Sequence, residues 1–156
     1  APWFDALADL VQIHSLNDAI IMLLAAVLSA AVFEEMLFRG LLQHTLEHFQ
    51  SPAIAIIVSA LFFAVAHFSL WTAVQIMVLG LVLGYVAWKS GTILPSMMIH
   101  ALNNLFSLIM MNSPAASLDW YHSGHVRPIW LVFAIALCLP AYRFFNKSCK
   151  KNATLN

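Results

Sequence analysis

The sequence predicts an all-α, polytopic transmembrane helix bundle with about five transmembrane helices. Of its 156 residues, 62% are hydrophobic and only 9% are charged, whereas an average soluble domain has about 25% charged residues. Its apolar runs approach the length of about 20 residues that a helix needs to cross a bilayer. This composition excludes an ordinary soluble domain, a disordered chain and a disulfide scaffold, and the zero net charge gives no sign of a nucleic-acid partner.

Turn residues separate the predicted helices. The first helix begins near Asn17-Asp18 and runs without a break into the polar residues after residue 33. Ser51-Pro52 form an N-cap and first-turn pair for the second helix. Residues 112–128 have the Ser, Pro and Gly content of a loop. The five helices are predicted at 18–49, 53–68, 72–88, 93–111 and 128–145.

One transmembrane domain is expected over residues 1–156, with the polar residues of interest in a core of about 18–112. The chain opens without a Met or a basic leader, so we expect helices upstream of it in the complete protein. Basic residues favour the cytoplasmic side of a membrane. Lys89 ends the third helix and a basic tail follows the fifth, which predicts a bacterial inner (plasma) membrane protein with a cytoplasmic C-terminus. The tail contains Arg143, Lys147, Lys150 and Lys151.

A small set of polar side chains lies inside the apolar runs: Glu34, Glu35, Arg39, His67, His100, Asn103 and Asn104. A charged side chain at the bilayer centre costs about 2.5–3.5 kcal/mol on insertion scales, so such residues are functional candidates. Glu35 and Arg39 are four residues apart on one helix, and a structural ion pair is the favoured interpretation for them. Glu34 has no cation three or four residues away and must find a partner on another helix.

The predicted helix geometry supplies partners for Glu34. In an antiparallel hairpin of the first two helices, Glu34 and His67 both lie about 25 Å from the turn, at the same depth. His100 and Asn104 share one face of the fourth helix, about 14 and 20 Å from its cytoplasmic end. These four residues are therefore expected in one layer of the membrane.

Two kinds of chemistry fit this layer. A carboxylate beside a histidine can activate water for attack on a carbonyl, and a histidine with an asparagine can stabilise the resulting oxyanion. Glu34, His67 and His100 could alternatively hold zinc with one open position. The helical zinc signature H-E-x-x-H is absent from these segments, so the metal-free form is favoured and no cofactor is expected.

Three motifs in this order resemble those of the CPBP family, which includes type II CAAX prenyl endopeptidases and bacteriocin self-immunity (Abi) proteins. EEMLFRG at 34–40 matches E-E-x-x-x-R, FAVAH at 63–67 matches F-x-x-x-H, and HALNN at 100–104 matches H-x-x-x-N. The resemblance implies an intramembrane protease in which Glu34 and His67 activate water and His100 and Asn104 form an oxyanion hole. It also implies supporting roles for Glu35, Arg39 and Phe63.

The function expected from these observations is hydrolysis of a peptide bond in a membrane-bound peptide or protein, with or without a prenyl group. The alternative is a non-catalytic membrane scaffold or self-immunity protein, in which the polar layer is an interhelical hydrogen-bond network. A transporter is disfavoured because its polar residues should form a path across the membrane, not one layer. Membrane lipid and a membrane-bound substrate are the expected partners.

Overall fold

The computed structural model describes most of the chain up to residue 113 and short pieces after it. The described residues are 12–68, 72–113, 121–122, 125–126, 139–140, 142–143 and 145–149. The chain forms two compact units, Ala1–Asn112 and Ser113–Asn156. All of the polar residues singled out from the apolar runs belong to the first unit.

The first helix, α1 (Leu16–Glu47), is 32 residues long and alternates between α-helical and π-helical turns. Its N-cap is Ser15, not Asn17-Asp18, because the Ser15 side chain accepts a hydrogen bond from the backbone N–H of Asp18. The pieces of α1 are α-helical at Leu16–Met22, Ala30–Glu35 and His44–Glu47, and π-helical at Leu23–Ser29 and Met36–Gln43.

Three further helices complete the described part of the first unit: α2 (Pro52–Ala66), α3 (Ala73–Ser90) and α4 (Leu94–Asn112). The predicted cap of α2 is confirmed, since the Ser51 side chain accepts from the backbone N–H of Ile54 and Pro52 lies in the first turn. Helix α3 ends at Gly91, whose φ of 69° lies in the left-handed region that glycine adopts without a steric penalty.

Three of these helices, α1, α3 and α4, are long and apolar enough to cross a membrane. Helix α2 has 15 residues, which extend about 22 Å at 1.5 Å per residue. This length is less than the hydrocarbon core of about 30 Å, and the helix ends at Ala66, two residues before the predicted end at residue 68. Large apolar side chains such as Phe33 and Leu102 are exposed, as on a lipid-facing surface. The predicted all-α membrane bundle is confirmed.

Helix α3 packs closely against α2 through two glycines. A Cβ atom on Gly80 would lie 3.1 Å from Ala60, and one on Gly84 would lie 3.1 Å from Ile56. The centre of the packed region is fully buried, with Ala60, Phe63 and Leu83 at 0% exposure. This close contact sets how α2 packs against α3.

In the second unit, Tyr121–His122 and His125–Val126 pair as two short antiparallel strands. The predicted fifth helix at 128–145 falls largely outside the described residues, although 139–140, 142–143 and 145–149 are helical. The prediction of one domain over 1–156 stays a prediction.

Candidate active site

Glu34 on α1 faces two histidines from two other segments of the bundle. Its Oε2 atom lies 3.8 Å from His67 Nε2 and 3.8 Å from His100 Nε2. His67 was the predicted partner, and His100 is equally close. The Oε2 atom is buried and has no hydrogen-bond partner among the described residues. The Glu34 and His67 side chains are each about one-third exposed, so the three atoms meet at a site that is open on one side.

Both histidines use Nδ1 for a hydrogen bond within the protein. His67 Nδ1 lies 2.8 Å from the backbone carbonyl of Phe63, and His100 Nδ1 lies 3.0 Å from Glu35 Oε1. Because a carbonyl or a carboxylate only accepts, each Nδ1 is the donor and carries the hydrogen. In the neutral imidazoles, the Nε2 lone pairs therefore point towards Glu34, and three acceptor atoms converge on one place.

Glu35 and Arg39 form the predicted ion pair and extend the site. Arg39 Nη1 donates to Glu35 Oε1 at 2.6 Å, and both side chains are fully buried. The same carboxylate oxygen accepts from His100, so Glu35 connects the guanidinium to the imidazole. Arg39 Nη2 also donates to the carbonyl of Gly80 at 3.0 Å, which ties the pair to α3.

Phe63 lies at the centre of these contacts and is fully buried. Its ring packs edge-on against the rings of His67 at 4.8 Å and His100 at 5.5 Å between centroids. The Arg39 guanidinium carbon lies 4.4 Å from the Phe63 ring centroid, a cation–π distance. Phe63 therefore holds both imidazoles and the guanidinium in place from one position on α2.

Asn104 is placed on α4 one turn after His100, and its side chain reaches α1. Asn104 Nδ2 donates to the carbonyl of Ala26 at 3.1 Å, within the first π-helical piece of α1. An amide nitrogen has two hydrogens, and this bond uses one of them. Asn103 is exposed, and its Nδ2 lies 3.5 Å from Asn104 Oδ1.

Sequence reasoning missed Gln43 and Ser59. Gln43 lies near the C-terminal end of α1 and is 2% exposed. Its Nε2 donates to the carbonyl of Gly84 at 3.1 Å and to Glu47 Oε1 at 2.9 Å. Ser59 Oγ donates to the carbonyl of Phe38 at 2.8 Å. The four-residue spacing of Gln43 from both Arg39 and Glu47 was a signal that could have revealed its role.

The three convergent residues do not fit a zinc ion as they stand. Among the described residues, no group of three or more His, Cys, Asp and Glu side chains is placed to hold a metal ion. Glu34 Oε2 lies 3.8 Å from each Nε2 atom, whereas ligands of one tetrahedral zinc, at bonds of 2.0–2.2 Å, are about 3.3 Å apart. We therefore assign no reaction step to a metal.

Comparison with known proteins identifies the family. The family model described as type II CAAX prenyl endopeptidase Rce1-like matches residues 16–106, more than half of the chain. No curated protein and no solved structure shows significant similarity to the chain. The matched residues include α1, α2 and α3 and the part of α4 that carries His100 and Asn104. The chain therefore belongs to the type II CAAX prenyl endopeptidase Rce1-like family of intramembrane proteases, and it is an integral membrane protein.

Proposed function

We propose that this protein is an endopeptidase that hydrolyses a peptide bond of a membrane-associated, prenylated protein or peptide with water activated by Glu34 and His67. The observation that supports this proposal most directly is the position of Glu34 Oε2, 3.8 Å from both Nε2 atoms. This distance exceeds a direct hydrogen bond of about 3 Å. It is short enough for one water molecule, placed to the side of the line between the two atoms, to hydrogen-bond to Glu34 and to one imidazole at the same time.

The protonation pattern of the site suits a general base. Because each Nδ1 donates within the protein, the Glu34 carboxylate and the Nε2 atom of His67 can accept the two hydrogens of such a water. When both hydrogens of the water are held in this way, a lone pair of its oxygen remains for attack on a peptide carbonyl. The proton then passes to Glu34 or His67, and later to the leaving amine. No nucleophilic side chain is required.

His100 and Asn104 are proposed to stabilise the oxyanion of the tetrahedral intermediate. The remaining amide hydrogen of Asn104 is the available donor on α4. Nε2 of His100 becomes a second donor when that imidazole takes up a proton from solvent before the water is split. Glu35 keeps the His100 ring in the orientation that this role requires, and Arg39 in turn orients Glu35. Phe63 supports the site by packing.

Cleavage of a fluorogenic prenylated CAAX-type peptide by the purified full chain in detergent tests this function. Wild-type protein should cleave the peptide, and Glu34→Gln should lower kcat by at least about 100-fold, the usual contribution of a general base. Asp18→Asn is the matched acid-to-amide control, because Asp18 is partly exposed in the first turn of α1, well before Glu34 on the same helix, and its activity should match wild type. Equal cleavage by Glu34→Gln and wild type would overturn the proposal.

The same comparison addresses the scaffold alternative. A self-immunity or scaffold role predicts no cleavage by wild type, and protection of cells against a bacteriocin that persists in Glu34→Gln. Protection by wild type that is lost in Glu34→Gln would instead favour a hydrolytic mechanism. The two functions therefore differ in their dependence on one carboxylate.

We further propose that the protein lies in a bacterial inner membrane with its C-terminal tail in the cytoplasm. The basic residues Lys89 and Lys147, with their neighbours in the tail, support this orientation. Fusions at the C-terminus test it: a green fluorescent protein should fluoresce and an alkaline phosphatase should be inactive. The reverse pattern would contradict the orientation.

A further inference from the structure

A buried amide one turn beyond the active-site ion pair joins α1 to α3. Gln43 Nε2 donates to the carbonyl of Gly84, just as Arg39 Nη2 donates to the carbonyl of Gly80. Donors four residues apart on α1 thus meet carbonyls four residues apart on α3, at 3.0 and 3.1 Å. The two hydrogen bonds form a ladder between the helices.

The ladder depends on the glycines of α3. A Cβ atom on Gly84 would lie 2.7 Å from Gln43 Oε1, which is closer than such contacts can be. Because glycine has no side chain there, Gln43 can approach the α3 backbone and reach a carbonyl that a larger residue would cover. Gln43 therefore occupies the space that Gly84 leaves open.

The ladder also depends on the π-helical form of α1. Four polar residues of α1 follow one another at intervals of four: Glu35, Arg39, Gln43 and Glu47. In an ideal α-helix four residues turn the chain by about 400°, so each of these side chains would point about 40° further around the helix axis than the one before. A π-helix has about 4.4 residues per turn, and a four-residue step falls about 33° short of a full turn. The π-helical piece Met36–Gln43 offsets the α-helical drift and keeps Arg39 and Gln43 directed at α3.

We propose that Gln43 is a positioning residue for the catalytic carboxylates of α1: its hydrogen bond to Gly84 holds the π-helical register that turns Glu34 towards His67 and His100. Among the described residues, Gln43 makes no hydrogen bond to Glu34, His67 or His100. Return of the segment to α-helix would rotate its two ends by about 18° per residue relative to each other. Glu34 would then turn away from the imidazoles. This inference rests on the proposed protease function.

Steady-state kinetics on the prenylated peptide distinguish a positioning role from a loss of folding. Gln43→Leu keeps the size of the side chain and removes its hydrogen bonds. It should lower kcat by about 10–100-fold, as expected when a catalytic group is misplaced by about 1 Å, and change KM by less than about twofold. Gln75→Leu is the matched control, because Gln75 is an exposed glutamine on α3. Its kinetics should match wild type.

Glu47→Ala separates the two hydrogen bonds of Gln43. This variant removes the partner on α1 at 2.9 Å and leaves the bond to Gly84. Activity should stay within about threefold of wild type, since the bond to Glu47 lies within α1 and does not hold α1 against α3. A loss in Glu47→Ala as large as that in Gln43→Leu would assign the effect to the bond within α1 and overturn the proposal.

Hydrogen–deuterium exchange tests the anchor without relying on peptide cleavage. In Gln43→Leu, amides of Met36–Gln43 should exchange about fivefold faster, the change that one lost hydrogen bond of about 1 kcal/mol produces. Amides of α4 should be unchanged. If wild type does not cleave the peptide, the proposed function fails, but this measurement still tests the anchor. Unchanged exchange in Met36–Gln43, or unchanged kcat in an active enzyme, would overturn the inference.

Discussion

Arg39 Nη1 and Glu35 Oε1 lie 2.6 Å apart with both side chains fully buried. The pair is neutral overall, and each member has a further partner on another helix: Glu35 accepts from His100 on α4, and Arg39 donates to the carbonyl of Gly80 on α3. The ion pair therefore joins the active site to the contact between α1 and α3. Removal of either charge leaves the other without compensation in a region away from water.

The first prediction concerns this ion pair. Arg39→Ala should lower the free energy of unfolding by about 3–5 kcal/mol, because it leaves the Glu35 carboxylate buried and unpaired. Unfolding in mixed detergent micelles measures the change. The double variant Glu35→Gln/Arg39→Gln removes both charges and should be more stable than Arg39→Ala. Equal stability of the single variant and wild type would mean that solvent reaches the pair.

The second prediction concerns the packing of Phe63. Phe63→Ala should lower the free energy of unfolding by about 3–5 kcal/mol, the usual cost of removing a buried aromatic ring. It should also reduce activity, because the ring supports His67, His100 and Arg39. Phe62 is 56% exposed and provides the adjacent control. The idea fails if Phe62→Ala is as harmful as Phe63→Ala.

The third prediction uses the glycines. Gly84→Ala should destabilise the protein and reduce activity, since the new Cβ would lie 2.7 Å from Gln43 Oε1 and 3.1 Å from Ile56. Gly40 on α1 has more space, with its nearest atoms at 3.7 and 3.8 Å. Gly40→Ala should be neutral or stabilising by up to about 1 kcal/mol through helix propensity. Thermal unfolding and peptide cleavage measure both variants, and the reverse order would contradict the packing argument.

The fourth prediction separates neighbouring asparagines on α4. Asn104→Ala should reduce kcat by about 100–1,000-fold, the range for loss of an oxyanion donor. Asn103→Ala should have a much smaller effect, because Asn103 is exposed and bonds only weakly to Asn104, at 3.5 Å. Single-turnover rates with saturating peptide measure the chemical step. An equal loss in both variants would argue for a general disturbance of α4.

The fifth prediction concerns metal dependence. Because the distances of 3.8 Å from Glu34 to the imidazoles do not match a zinc site, cleavage should persist after treatment with EDTA or 1,10-phenanthroline. Metal analysis of the purified protein should find less than about 0.1 zinc per chain, well below the full occupancy of a dedicated site. Inactivation by chelators that added zinc reverses would show that the ligands close around a metal.

Much of the fold could be predicted because its determinants are local. Apolar runs, the Ser51-Pro52 cap and the glycine after Ser90 define helices through side-chain solubility and backbone conformation. The equal depth of Glu34 and His67 also follows from counting residues along two helices. The end of α2 was predicted two residues too late, because Phe68 after His67 is apolar like the residues before it, although the helix ends at Ala66.

Other features required the packed structure. The burial of Gln43 depends on a carbonyl of α3, 41 residues further along the chain, and no local pattern shows which side chain will meet it. The π-helical turns of α1 have no distinct composition, because the same residues also form α-helix. The equal distance of His67 and His100 from Glu34 depends on how α2 and α4 pack beside α1.

The order of residues along the chain is enough to specify a membrane helix bundle with carboxylates, histidines and an asparagine at one depth. Hydrophobicity and helical rise act along the chain, so both can be read from the order of residues. Three features follow only from the packing of the helices: the rotation of α1, the hydrogen bonds made by Nδ1 of His67 and of His100, and the ladder from Arg39 and Gln43 to α3. These features depend on which helix faces lie together, and that is set by packing between residues distant in sequence.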